Sequence, residues 1–362
     1  MRKGLRVCVA LLALSLVVAA CSKSNTNTTS TSGKPAVKVA MLYDIGGRGD
    51  KSFNDSAAAG LDKARTDFHI QTKELSPNSG GTNRLELLNL VASQGYQLVI
   101  TVGFLYAPTT CTAANKFPNV KFGDVDGFID HTTTPCPGAH DLTSSDNVTS
   151  LLFTENEGAY LVGAAAALKS KTHHIGFIGG VDIALIQKFQ AGFDAGATKI
   201  DPTITIDHKY LTEPPNFAGF NDPAAAQQVA TSMYQGGADV VYHAAGGSGA
   251  GLFKAAVQYS TANNTHVWAI GTDSDQYLSA PPDEQPYILT SNLKRVDVAV
   301  YDTIRNFVDG KFTGGVQTFD LKAGGVGYAT SGGFVDDIKT QLDQLAAEIK
   351  SGQIVVPTTL SG

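Results

Sequence analysis

A chain of 362 residues, 43% hydrophobic and 17% charged, is long enough for two domains and too apolar to remain unfolded. Its formal net charge of −6 argues against recognition of nucleic acid or anionic lipid by charge.

The first residues read as a targeting signal. Arg2, Lys3 and Arg6 precede an apolar run, Val7 to Ala20, that is too short to span a bilayer comfortably. The run closes in Val18-Ala19-Ala20-Cys21, which resembles the lipobox of bacterial lipoproteins. That resemblance implies a signal over 1–20, cleavage before Cys21, and a diacylglyceryl thioether holding the protein on the extracytoplasmic face of the cell membrane; a plain secretory signal is the alternative. Residues 21–36 follow as a tether of small polar residues without periodicity. Loss of a signal with three basic and no acidic residues would leave the body more acidic still. Cys8 would leave with the signal, so Cys111 and Cys136 are the cysteines of the folded body. In an oxidising compartment they are expected to pair rather than persist as free thiols.

Val37 to Tyr43 (VKVAMLY) is apolar at nearly every position and predicts a buried strand. The segment Asp44 to Gly60 then ends that strand, turns on Gly46, Gly47 and Gly49, and opens a helix whose first turn Asp50 or Ser52 can cap. Ligands usually sit in such a βα crevice. Further strands are predicted near His69–Leu75, Gln97–Val102 and Val120–Val125, alternating with helices at Arg84–Ser93 and Thr110–Lys116. This alternation is that of a doubly wound parallel sheet.

The pattern restarts after Asn147. An alanine-rich helix, Glu155–Leu168, precedes strands at Ile175–Ile178, Thr203–His208, Asp239–Ala244 and Val267–Ile270, with helices at Ile183–Ala197, Pro223–Gln235 and Ala250–Tyr259 between them. After Pro281–Pro286 the strand Tyr287–Ser291 and the helix Val296–Val308 lack partners of their own and are expected to return across a hinge. The expected division is 37–147 plus about 275–318 for one lobe, and 148–274 plus about 319–362 for the other.

The chain shows no nucleophile elbow, Walker loop or zinc cluster, and no cofactor is expected. Gly246 to Gly251 (GGSGAG) lacks both the GxGxxG order and a following Lys-Ser/Thr, so it is a weak phosphate loop. His173 and His174 are adjacent and would face opposite ways on a strand. Arg48-Gly49-Asp50 matches an adhesion tripeptide inside a tight turn. What recurs is polar residues at strand ends: Asp44, Asp126, Gly247, Asp273 and Lys294. Carboxylates so placed can accept hydrogen bonds from a diol, and each can also be an ordinary turn residue.

The segments GGRGDKSFNDSAAAGL, NEGAYLVGAAAALKS, IGFIGGVDI, QKFQAGFDAGA, FNDP, GADVVYHAAGGSGAG, IGTDSDQ and TSNLKRVDVAVYD, in that order, resemble the basic membrane protein family of lipid-anchored binding proteins of ABC importers. The resemblance implies an α/β type I periplasmic-binding fold: two doubly wound parallel-sheet lobes joined by crossing hinge strands, with a purine nucleoside between them and permease and ATPase subunits as partners. By position, it implies that Phe53 stacks on the base, Asn54 and Asp126 meet its polar edges, Asp273 and Lys294 bind ribose beside Gly247, and Phe220 is the opposing ring, with Asp44 also in the site. EPPNFAGFNDP offers Phe217 as well as Phe220 for that ring, and Ala184 stands where the family often has proline. A sugar or autoinducer-like ligand, a nucleoside hydrolase and a surface signalling or adhesion lipoprotein are the other readings.

Overall fold

The computed structural model describes residues 36–129, 141–143 and 146–360. The expected signal, Cys21, nearly all of the tether, and Cys136 lie outside the described residues.

The chain begins with β1 (Lys38–Leu42), α1 (Phe53–Phe68), β2 (Gln71–Leu75), α2 (Arg84–Ser93), β3 (Leu98–Val102), α3 (Ala107–Lys116), β4 (Lys121–Val125) and β5 (Val148–Phe153). It continues with α4 (Glu155–Lys169), β6 (His174–Val181), α5 (Ala184–Ile200), β7 (Thr205–Thr212), α6 (Pro223–Gln235), β8 (Val240–Ala244), α7 (Gly249–Asn263) and β9 (Trp268–Asp273). Last come α8 (Gln276–Ser279), β10 (Ile288–Lys294), α9 (Val296–Val308), β11 (Gly315–Phe319), β12 (Val326–Tyr328) and α10 (Lys339–Lys350). Two six-stranded sheets result, ordered β11-β5-β4-β3-β1-β2 and β12-β10-β9-β8-β6-β7. All pairings are parallel except that of β10 with β12.

Composition explains which strands lie inside. LVITV in β3 and VVYHA in β8 are buried along their whole length, as strands covered by helices on both faces must be. QTKEL in β2 and TIDHKYLT in β7 are half-exposed edge strands, and their charges discourage further pairing. Helices α4 and α5 approach backbone to backbone: a Cβ on Gly163, Gly192 or Gly196 would strike a carbonyl of the other helix. The alanine-rich surface of α4 makes that approach possible, and its buried alanines join the larger apolar core.

The sheets depart from the expected division at two elements. β5 lies beside β4 in the first sheet, although 148 was to open the second lobe, and β10 lies beside β9 in the second sheet, although 275 was to return to the first. Local signals could not assign them, because strand pairing is long-range: the proline-rich stretch before β10 is only a connection within one lobe. The chain therefore passes between lobes at Thr154, at Arg295 and between β11 and β12. After the second passage α9 packs against α1, and β11 closes the first sheet along β5.

Candidate functional site

The carboxyl ends of both sheets face one cleft, which encloses about 580 Å³ of non-atom space with its mouth included. Asp44, Phe53, Asn54, Asp126, Phe220, Gly247, Asp273 and Lys294 all line it.

The turn after β1 is built around two side chains. Asp50 accepts from the backbone N–H groups of Ser52 (2.9 Å), Asn54 (2.9 Å) and Asp55 (3.1 Å), so it, not Ser52, caps α1. Asn54 accepts from the Asp44 N–H (2.9 Å) and donates Nδ2 to Asp50 (2.9 Å) and, at 3.5 Å, to Ile45 O. With those bonds in place, Asn54 shapes the turn in this conformation while it lines the cleft. Asp44 is buried, and burial lifts its carboxyl to about 6 against the pull of the Ile45 N–H and of Arg84. Arg84 lies 3.5 Å behind it. Across from Asp44, Gly103 has φ +107, and a Cβ there would collide with the Asp44 carboxylate, so this position requires glycine.

At the centre stands Lys294, the last residue of β10. Its Nζ lies 2.6 Å from Asp126 Oδ2 and 3.1 Å from Glu155 Oε1, and 5.0 Å from the ring centroids of both Phe53 and Phe153. Burial works to lower its pKa, yet Asp126, Glu155 and Asp273 carry it above the ordinary value, so the ammonium stays charged. Burial and the neighbouring Glu155 push Asp126 up despite Lys294. Glu155 goes down: burial opposes this, but Lys294 and Lys188 prevail, and Lys188 Nζ is 2.7 Å from its Oε2. Asp126 Oδ1 has no protein partner.

Asp273, at the end of β9, accepts from Ser52 Oγ at 2.6 Å, a bond between the lobes. Burial raises its carboxyl to about 7, opposed by Lys294 and Ser52. Ser274 Oγ to Ser52 O (3.0 Å) and Gln276 Nε2 to Lys51 O (3.1 Å) reinforce the same junction. Phe220 lies in a short turn, Ala218–Phe220, held to the Gly246–Ser248 turn by Ser248 Oγ, which donates to Gly219 O (2.7 Å) and accepts from Asp222 N (2.7 Å). Its ring rests on Gly180, where any Cβ would hit it. Phe217 does not line the cleft; it meets Phe104 of the other lobe edge-on, with 6.0 Å between centroids.

The sequence reading missed an apolar wall, Leu185, Ile186 and Phe189 of α5, and Phe104 after β3. Residues at helical spacing read equally as core, and only the helix's position beside the cleft distinguishes them. It also missed Glu155 and Lys188, whose positions relative to Lys294 follow from the crossing. His173 and His174 pair with different carboxylates, Asp201 and Asp207. Cys111, buried in α3, is disulfide-bonded. Among the described residues no cluster of His, Cys, Asp and Glu could hold a metal ion.

Residues 36–359 match the family model Bmp, described as ABC transporter substrate-binding protein PnrA-like. The chain is 34% identical over 364 residues to the ABC transporter nucleoside-binding protein BmpA of Lactococcus lactis, covering 96% of each chain. It is 35% identical over 333 residues to an uncharacterized lipoprotein of Pyrococcus abyssi, covering 91% of this chain and 77% of that one. An ABC transporter solute-binding protein from Aeropyrum pernix has a similar structure, with a TM-score of 0.74, 29% identity, and 89% and 94% of the two chains covered. The two-sheet architecture is the type I periplasmic-binding fold, and the chain belongs to the Bmp family of PnrA-like ABC transporter substrate-binding proteins.

Proposed function

We propose that this protein binds a purine nucleoside in the cleft and delivers it to the permease and ATPase subunits of an importer, held by a lipid anchor at Cys21 on the extracytoplasmic face of the cell membrane. One observation carries the reading: aromatic side chains from opposite lobes, Phe53 and Phe220, line the same cleft as Asp44, Asp126 and Asp273. Flat faces suit a base, each stacking contact being worth about 1–3 kcal/mol, and carboxylates suit the hydroxyls of ribose. Those carboxylates outnumber the single ammonium of Lys294 and would repel a phosphate, so nucleosides should be preferred to nucleotides. The nucleoside-binding name of the Lactococcus relative supports the ligand class, and the lipoprotein name of the Pyrococcus relative supports the anchor.

Thermal unfolding with nucleosides, free bases, nucleotides and sugars tests the ligand. A ligand at 100 times its Kd stabilises the fold by about 2.7 kcal/mol; a shift with sugars and none with nucleosides sinks the proposal. For the anchor, Cys21→Ser should release the protein from membranes with affinity unchanged. We also assign Cys136 as the partner of Cys111. The loop of about 25 residues so closed would contribute roughly 3 kcal/mol, and alkylation of Cys136 in the unreduced protein would refute the pairing.

A further inference from the structure

Beside the cleft lies a second groove between the lobes, to which no part of the ligand has been assigned. Phe104, Phe128 and, from β5, Leu152 and Phe153 wall it from the first lobe, and Ile183 and Leu185 from the second. Phe104, Asp126 and Leu185 line both spaces, so these three side chains stand between the groove and the cleft. Phe128 is 52% exposed, a large apolar ring left open to solvent.

The polar groups of the groove are nearly all engaged. Lys188 Nζ is held by Glu155 Oε2 (2.7 Å) and Phe153 O (2.6 Å), and the other Glu155 oxygen faces Lys294. The exception is Asp126 Oδ1, an acceptor in a 93% buried residue with no protein partner, placed where groove and cleft meet. A buried acceptor of this kind requires a donor.

We propose that the groove is a subsite for an apolar substituent on the exocyclic amino group of the ligand's base, so that N-monosubstituted purine nucleosides with an aryl or branched alkyl group are ligands. The proposal rests on the nucleoside reading above. A monosubstituted amine keeps one N–H, which Asp126 Oδ1 accepts, and directs its substituent past Phe104 and Leu185 into the groove. A disubstituted amine has no N–H and leaves the acceptor unpaired. A charged substituent finds no free counter-charge, because Lys188 and Glu155 satisfy each other.

Calorimetry with the mature protein tests this, using adenosine, N6-benzyladenosine, N6,N6-dimethyladenosine and a 5′-alkylthioadenosine. N6-benzyladenosine should bind at least about 10-fold tighter than adenosine, the effect of burying roughly two methylene equivalents, and the dimethyl compound should bind more weakly than adenosine. Ala184 faces the groove but not the cleft, so Ala184→Trp should cancel the benzyl gain and leave adenosine unaffected. Phe128→Ser, at an exposed position where folding is not at risk, should reduce the gain. Adenosine binding with no benzyl gain, or a gain for the 5′-substituted compound alone, would overturn the subsite while the nucleoside reading stands. Failure of all four to bind would overturn the subsite, and the nucleoside reading would then stand or fall by the thermal-unfolding series alone.

Discussion

The two lobes place an aspartate at matching positions. β4 and β9 are each third from the same end of their sheet order, and Asp126 and Asp273 sit at their carboxyl ends with φ of +62 and +64. The left-handed turn is one that aspartate tolerates better than most residues, and it recurs because both side chains must reach the same cleft. Each carboxylate is then met by a donor from the opposite lobe: Asp126 by the Lys294 ammonium, Asp273 by the Ser52 hydroxyl, both at 2.6 Å. The same backbone device thus supports two different sets of partners. One aspartate is fixed in a buried ion network, while the other, raised to about 7, titrates near neutrality and can respond to a ligand.

The largest effect should come from the ionic side. Lys294→Met leaves Asp126 and Glu155 buried without their shared cation and should cost about 3–5 kcal/mol in urea unfolding, with nucleoside binding lost. Adding Asp126→Asn should recover part of the stability, and no recovery would mean that the network is not what Lys294 supports.

On the other side, Asp273→Asn should weaken a ribonucleoside by about 1.5–3 kcal/mol and a deoxyribonucleoside by less. Because burial lifts the folded carboxyl from 3.8 to about 7, the folded state holds this proton more tightly than the unfolded state does. The group therefore favours folding most at low pH, and its contribution fades as pH rises from about 4 to 7. Accepting hydroxyl bonds as a carboxylate requires the ionised form, so affinity should rise with pH towards 7 and then level. Asp44, lifted to about 6, adds to the slope only below that value. Titration calorimetry from pH 5 to 8 should show the slope in the wild type and a flatter profile in Asp273→Asn; equal profiles would make Asp273 a structural turn residue.

Phe53→Ala should weaken every nucleoside alike, by about 1–3 kcal/mol, without altering the ribose to deoxyribose ratio, which the same calorimetry reads. The smallest effect belongs to Ser52→Ala, which removes one hydroxyl bond to the Asp273 carboxyl, worth about 1.5 kcal/mol where that group is partly ionised, and should open the ligand-free protein. Small-angle scattering should report a larger radius of gyration for the variant; an unchanged radius would show that this bond does not help hold the lobes together.

The strand-end residues were legible because turn chemistry is local: Asp44 after VKVAMLY, Asp126 after KFGDV and Asp273 after WAIGT each stand at the carboxyl end of a short strand-like segment. Asn54 was legible as a site residue, but its part in holding the turn was not, since its bonds to Asp44, Ile45 and Asp50 depend on a geometry the residue types do not specify. Phe217 and Phe220 could not be separated by spacing; Gly180 separates them, by giving the Phe220 ring a flat seat on a strand 40 residues earlier. The sheet membership of β5 and β10 was illegible for the same reason as the site role of Glu155: each depends on partners far away in the chain.

The three passages between the lobes also govern how the chain can fold. The outermost strand on the crossing side of the first sheet is β11 and that of the second is β12, both drawn from Gly315 to Tyr328 near the end of the chain. Neither lobe can be completed before nearly the whole polypeptide is present, so pairings of high sequence separation must close late and both lobes mature together. A chain cut short of β11 would not yield one sound lobe and one damaged one. It would yield two open sheets, with β5 and β10 as bare edges able to pair with other chains.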